Sequence, residues 1–425
     1  MKAALALLAL ALAAVPACAA RLRAGVARVE ITPASPMTMY GYANRRCGPS
    51  NGTHDPLMAK ALVLDADGSR IAIVTMDLGS IVSPALKKRV ADELGIQVLL
   101  LSASHTHSAP AFLPYGSSPA SDAAAESYRA NMEGKVFTAI EQASKTMFDA
   151  RLGVASGSLQ LGYNRLLLRD DGRARALFDN PERIPYGPVD PEYMLLRIDD
   201  TAGTARALLV HYATHAVVLG PSSCKYSGDY PGVMQRTAEQ ELRGAQVMFV
   251  QGGAGDINPL FLGRSGNEEA DFEVSRKMGE LLAAEVLRAN RRVQPVAAEA
   301  IRAKGEVIAL ADRWDSSKTI EAGITTVYIA PHIALAAVPG EAMHKLQTLW
   351  KSQAGVPHAL FYGYTYSSGG TWAGYIPDLR TAAYGGYGAD ASTNVEVGAG
   401  ENLIMRHVRN LYELRGMWRT TPGRN

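Results

Sequence analysis

Histidines stand in pairs at two points of the sequence. Ser102-Ala103-Ser104-His105-Thr106-His107-Ser108-Ala109-Pro110 follows the apolar run 98–101, and His211-Tyr212-Ala213-Thr214-His215 closes another apolar run. Neutral imidazole is a good zinc ligand, and histidine pairs are a common donor set. If the first strand continues through 105–107, positions i and i+2 point to the same side. The competing reading is a polar strand end whose Ser, Thr and His side chains hydrogen-bond locally. Either His211 or His215 could also be a histidine satisfied in the core. The H-x-H spacing alone does not decide.

Four further stretches carry polar or glycine-rich chemistry. Gln251-Gly252-Gly253-Ala254-Gly255-Asp256-Ile257-Asn258-Pro259 follows an apolar strand. Gly252 and Gly253 there would let backbone N–H groups approach an oxyanion or phosphate, or would simply make a tight turn. The stretch matches neither GxxxxGK[ST] nor GxGxxG, which argues against a nucleotide. Ser227-Gly228-Asp229-Tyr230-Pro231-Gly232 reads as a turn into a helix, with Asp229 as its N-cap. Val338-Pro339-Gly340-Glu341 turns a strand into a helix, where Glu341 could merely complement the helix dipole. Gly374-Tyr375-Ile376-Pro377, with Tyr384-Gly385-Gly386-Tyr387 behind it, would by itself indicate only a surface loop.

These stretches need elements to position them. β-Branched-rich runs at 59–65 and 70–78 meet at Asp67-Gly68 and predict a hairpin. Helical patterns cover 84–94, 122–150, a segment from about Tyr230, 269–290 and 341–353. Strands are expected at 97–103, 194–199, 205–212, 247–251, 300–309, 326–338 and 359–364. Such alternation predicts a layered α/β fold. Periodicity leaves open whether its sheets are parallel or mixed. Loops at strand ends are where α/β proteins build their sites.

Composition narrows the partners. Lys plus Arg number 43 and Asp plus Glu 41, with no basic cluster suited to neutralising phosphates, which argues against nucleic acid. Met1-Lys2, the apolar run 3–15, Pro16 and the small residues 17–20 form a secretory signal, with the mature chain starting near Arg21. Acylation at Cys18 is an alternative that Pro16 fits poorly. No other segment is apolar and long enough to cross a membrane. Export leaves Cys47 and Cys224, which either form one disulfide or remain two inert thiols.

Taken in order, H-T-H-S-x-P, a later strand-end histidine, S-G-D-Y-P-G, G-x-G-D-I-N-P, V-P-G-E and G-Y-I-P resemble the neutral/alkaline non-lysosomal ceramidase family. Glu30-Ile31-Thr32-Pro33 and Met39-Tyr40-Gly41-Tyr42 are similar to the family's amino-terminal end. The likeness spans residues 21–425, read as one catalytic domain, without the family's carboxy-terminal immunoglobulin-like domain. It implies layered mixed β-sheets packed with helices. It also implies one zinc ion held by His105, His215, Glu341 and Tyr375, with His107, Arg165 and Tyr387 at substrate-contacting or proton-handling positions. Two imidazoles, a carboxylate and a phenolate are N/O donors suited to zinc, which lowers the pKa of bound water from about 15.7 towards about 7.

One position departs from the pattern. Where the family places a serine just after the glutamine of its Q-S-N-x-G stretch, this chain has Gly252 followed by Gly253. The resulting expectation is an exported zinc hydrolase of an N-acyl amide, with a ceramide-like lipid as the family substrate. The alternatives are a zinc hydrolase of another amide or an ester, and an exported binding protein without chemistry.

Overall fold

The computed structural model describes residues 22–45, 47–112, 123–390 and 392–417. The signal at 1–20, Cys18 and Asp122 lie outside the described residues. The hairpin forms as its turn demands: Met58–Ala66 pairs antiparallel with Ser69–Met76, and Asp67 and Gly68 both take positive φ. Ala59, Ala61 and Val63 face one core, whereas Leu62 and Leu64 face another. Both faces of this sheet are therefore buried, which explains the continuous apolar run.

The hairpin sits inside a large mixed sheet. From one edge the order is Gln246–Gln251, Ala205–Tyr212, Glu192–Asp200, Phe148–Ser158, Arg23–Glu30, Met58–Ala66, Ser69–Met76, Val98–Ala103 and Thr365–Tyr366. Its pairs 246–251 with 205–212 and 69–76 with 98–103 are parallel, and its other pairs, the edge pair 98–103 with 365–366 included, are antiparallel. A four-stranded sheet, Ala300–Ala311, Thr319–Ala330, Ile333–Ala337 and His358–Tyr362, packs against its inner face. Leu62, Leu100, Leu196 and Met248 from the first sheet share one core with Val327, Ile329, Leu335 and Leu360 from the second.

Helices cover both outer faces. Pro84–Leu94 and Ala123–Lys145 close the core around Val63 and Val74. Asp229–Glu241 and Glu268–Asn290 close the one around Leu208 and Phe249. His344–Gln353 and Ala399–Leu414 cover the small sheet. The result is helix, sheet, sheet, helix, with mixed sheets packed by helices as expected.

Four expected boundaries move. The helix from 122 ends at Lys145, and Phe148 begins a strand. Met147, Phe148 and Ala150 continue the apolar pattern but turn it onto the sheet, so helical spacing alone ran past the end. The strand expected at 326–338 is two strands, Thr319–Ala330 and Ile333–Ala337, folded back at Pro331-His332. Glu341 does not begin a helix. Glu341–Ala342 pairs with Tyr375–Ile376, and the helix starts at His344, whose N–H donates to the carboxylate of distant Asp256 at 2.9 Å. Asp229 is not the N-cap, a position held by Gly228. Its carboxylate instead accepts from Leu219 N and Ser275 Oγ.

Candidate metal centre

The strand Val98–Ala103 does not continue through the histidines. Ser104 and His105 donate their N–H groups to Met76 O and Leu78 O, and His105 takes φ +64°, rare for a residue with a Cβ. The turn nevertheless aims both rings into one space, with His105 and His107 Nε2 atoms 3.3 Å apart. The common direction comes from this turn, and strand alternation plays no part. Gly41 makes room, since a Cβ there would fall 2.2 Å from His107 Nδ1.

His215 arrives from the end of Ala205–Tyr212, tied by its N–H to Ile257 O at 3.0 Å. Glu341 arrives beside it because Glu341–Ala342 pairs in register with Tyr375–Ile376. One carboxylate oxygen, Oε2, lies 3.2 Å from His105 Nε2 and 3.2 Å from His215 Nε2. The other, Oε1, is buried without a partner. The ligand atoms of His105, His215 and Glu341 all lie within 4.8 Å of one another.

The far side of each ring fixes what the near side offers. His105 Nδ1 lies 2.6 Å from Gly79 O, and His215 Nδ1 lies 2.5 Å from Ala254 O. A carbonyl only accepts, so each Nδ1 carries a proton and each Nε2 points into the shared space. This assigns the tautomers from their partners. Burial pushes the His215 imidazole down to about 4, so at neutral pH no second proton fills the gap. The His215 lone pair, His105 Nε2 and a carboxylate oxygen thus converge on one point. Such a set calls for a cation, and its N/O composition suits zinc. The carbonyls behind the rings are the orienting partners that histidine ligands require.

Next to the cluster lies a cavity of about 390 Å³, lined in part by His107, His215, Arg165, Tyr375 and Tyr387. Arg165 is buried and donates to Asn258 Oδ1 at 3.1 Å and Gly255 O at 2.7 Å. Its guanidinium carbon stands 5.4 Å from the Tyr375 ring centre and 5.2 Å from that of Tyr387. Burial also holds the His107 imidazole well below its ordinary pKa, with the neighbouring histidines acting the same way. His107 is therefore neutral and able to exchange a proton at the cavity wall.

Gly252 and Gly253 are not brought into this cavity. Their N–H groups are engaged by Tyr212 O and by Gln347 Oε1, at 2.9 and 2.8 Å, so neither is free for an oxyanion. A Cβ at 252 would fall 2.4 Å from Gln347 Oε1 and 2.8 Å from His211 Nε2. Gln347 thus fills the space a side chain at 252 would need. His211 itself bonds Phe361 O at 2.8 Å and is no member of the cluster. Cys47 and Cys224 are joined by a disulfide with Cα atoms 6.0 Å apart.

Several neighbours left little mark in the sequence. Tyr364 takes φ +56° and lays its ring 4.4 Å from that of His105, with its buried hydroxyl unpartnered. Arg45 donates to Tyr40 O and His107 O and braces the histidine turn. Its partners are backbone carbonyls, which no side-chain motif records. Asn258 lies inside G-D-I-N-P but had no assigned role, whereas Arg264 belongs to no motif.

Comparison with known proteins adds three findings. The family model for neutral/alkaline non-lysosomal ceramidase, N-terminal, matches residues 22–283. Neutral ceramidase B of Dictyostelium discoideum is 27% identical over 264 residues, which are 55% of this chain. That match spans only 35% of the relative's length. A solved structure described as ceramidase complexed with C2 superposes with TM-score 0.76 at 17% identity, covering 96% of this chain and 77% of that one. Neutral ceramidase from Pseudomonas aeruginosa gives TM-score 0.73, also at 17% identity, over 96% and 76%. At such identity these two structures establish the shared fold.

Proposed function

The chain belongs to the neutral/alkaline non-lysosomal ceramidase family, and from that premise we propose that it is an exported zinc hydrolase cleaving the amide bond of an N-acylated, ceramide-type substrate. The observation that carries the proposal is the buried convergence of His105 Nε2, His215 Nε2 and Glu341 Oε2 beside a cavity. Tyr375, in register beside Glu341, is the fourth proposed ligand. When bound there, zinc supplies Lewis acidity and lowers the pKa of a coordinated water towards about 7. The remaining work falls to the chain. Arg165 and Tyr387 face the position where negative charge builds on the carbonyl oxygen. Neutral His107 would take the proton that the attacking water loses and pass it to the departing nitrogen. A disulfide between Cys47 and Cys224 suits an oxidising compartment and supports export. The proposal places the catalytic domain over residues 21–425.

The test is the metal content of the purified protein beside a His105→Ala, His215→Ala double variant, with hydrolysis of N-acylated lipids followed with and without chelator. Near-stoichiometric zinc and chelator-sensitive amide cleavage are expected, both absent from the variant. Turnover that survives in the variant would defeat the reading. Zinc without turnover of any amide or ester would favour a binding protein.

A further inference from the structure

The substrate cavity carries a positive charge that a neutral amide does not use. Among the described residues its arginines are Arg165 and Arg264, and its one acid is Asp179. Arg165 lies deep, next to the tyrosines, and serves the carbonyl in the reading above. Arg264 stands apart from it. Its NH1 donates to Asp179 Oδ1 at 2.9 Å, but Asp179 is 75% exposed while Arg264 is only 25% exposed. An acid so well solvated neutralises its partner weakly. Arg264 Nε is buried with no hydrogen-bond partner. Its stem is held in place, since Gly220 leaves the room that a Cβ 3.0 Å from Arg264 Cγ would close. Tyr42, which donates to Leu219 O at 2.9 Å, lines the same wall within hydrogen-bonding reach of Arg264.

The aliphatic members of the wall are Ala43, Val217 and Pro221, beside the rings of Tyr42, Phe178, Tyr375 and Tyr387, and its polar members include the two arginines, Asn44 and Asn258. A neutral amide, ceramide included, brings Arg264 no counter-charge beyond the exposed Asp179. A planar guanidinium on the cavity wall, 25% exposed, fits an oxyanion. Partial compensation by Asp179 favours one negative charge over the two of a phosphate.

Resting on the amide-hydrolase reading, we propose that the preferred substrate is an N-acyl amino acid, whose carboxylate is held by Arg264 while the acyl carbonyl faces Arg165. Hydrolysis adds water across the C–N bond. The acyl carbon keeps the hydroxyl oxygen and leaves as a fatty carboxylate, and the nitrogen takes the proton and leaves as the free amino acid.

The zinc-loaded protein would be assayed with N-dodecanoylglycine, N-dodecanoylethanolamine and N-dodecanoylsphingosine, which share one acyl chain. A charge-assisted bond predicts kcat/KM about ten- to a hundredfold higher for the glycine conjugate than for the neutral ethanolamide. Arg264→Gln should abolish that preference through KM, and Arg264→Lys should keep part of it. Rising salt should shrink it in the unmodified protein, a readout that needs no variant. Equal turnover of the charged and neutral amides by the unmodified protein would overturn the inference and leave amide hydrolysis standing. Turnover of none of the three would overturn both.

Discussion

Two buried polar clusters sit at strand ends in this molecule, and both look like sites in the sequence. One is His105, His215 and Glu341. The other surrounds S-G-D-Y-P-G, where Asp55, Asp77 and Asp229 are all buried. In the second, each carboxylate has donors. Asp55 accepts from Arg236, Gly228 N and Ser227 Oγ at 2.7, 3.1 and 2.6 Å. Asp77 accepts from Met58 N and Gln235 Nε2, and Asp229 accepts from Leu219 N, Tyr230 N and Ser275 Oγ. In the first cluster, Glu341 Oε2 meets only the two histidine Nε2 atoms, and Oε1 has no hydrogen-bond partner. Buried polar groups are nearly always paired, so an unpaired set marks a place kept for something else. Satisfaction of hydrogen bonds separates the two clusters where burial and residue type do not.

The sharpest way to break this comparison is Glu341→Gln. Loss of an orienting partner already costs about 10–100-fold in metal affinity, so loss of the charged ligand should exceed about 100-fold. Zinc titration followed by elemental analysis would read it. Unchanged zinc affinity would mean that Glu341 is structural, like its counterparts around Asp55. At the other cluster, Asp55→Ala strands several donors while leaving the zinc ligands in place. The expected loss is about 2–3 kcal/mol of stability, read as a lower urea midpoint. Zinc stoichiometry in the folded fraction should not change.

Proton linkage gives a smaller, signed test. Burial raises the Asp229 carboxyl to about 6 from its usual 3.8. Below about pH 4 both folded and unfolded chains hold the proton, so the group has no effect. Between the two values only the unfolded chain ionises, and stability falls as pH rises, by at most about 3 kcal/mol once above pH 6. Asp55 acts oppositely. Burial would raise it, but His54, Arg236 and Ser227 outweigh that and hold it low, so its contribution is lost as pH falls. Subtracting the pH–stability curve of Asp229→Asn from that of the unmodified protein should leave a downward slope between pH 4 and 6. A flat difference would mean that Asp229 ionises freely in the folded chain.

The ligand candidates were legible because they stand next to apolar runs that could only be strands. Val98–Ala103 leads to His105, and Ala205–Tyr212 leads to His215. Tyr375 and Glu341 were legible only through the family resemblance, since nothing local shows that residues 34 apart pair in register. The role of Gly252 and Gly253 stayed open for a related reason. A glycine pair after a strand looks the same whether its N–H groups are free or held, and the holder here, Gln347, lies 94 residues away. Sheet direction was illegible because both faces of the large sheet are buried, which removes the alternation that marks an exposed antiparallel strand. The strands Arg23–Glu30 and Phe148–Ser158, near the middle of that sheet, went unread. In the second, the apolar positions simply continued a helical count.

The smallest effect is also the most discriminating, because its sign differs between the clusters. In the metal-free protein, Glu341 is a buried carboxylate facing the Nε2 atoms of His105 and His215, with one oxygen unpartnered. Glutamine has nearly the same shape, carries no charge, and offers N–H groups to His105 or His215 Nε2. Relieving such a conflict should stabilise the chelated protein by about 1–2 kcal/mol at a pH where both histidines are neutral. Adding zinc should reverse the order. The unmodified protein gains about 4 kcal/mol when free zinc reaches a thousand times its Kd, and the variant gains little. Thermal melts of both proteins, with chelator and with zinc, would therefore cross. At Asp55 no such crossing is expected, since asparagine or alanine there destabilises with zinc or without it. If Glu341→Gln lowers stability in chelator as well, the carboxylate is already satisfied in the folded chain and the contrast between the two clusters collapses.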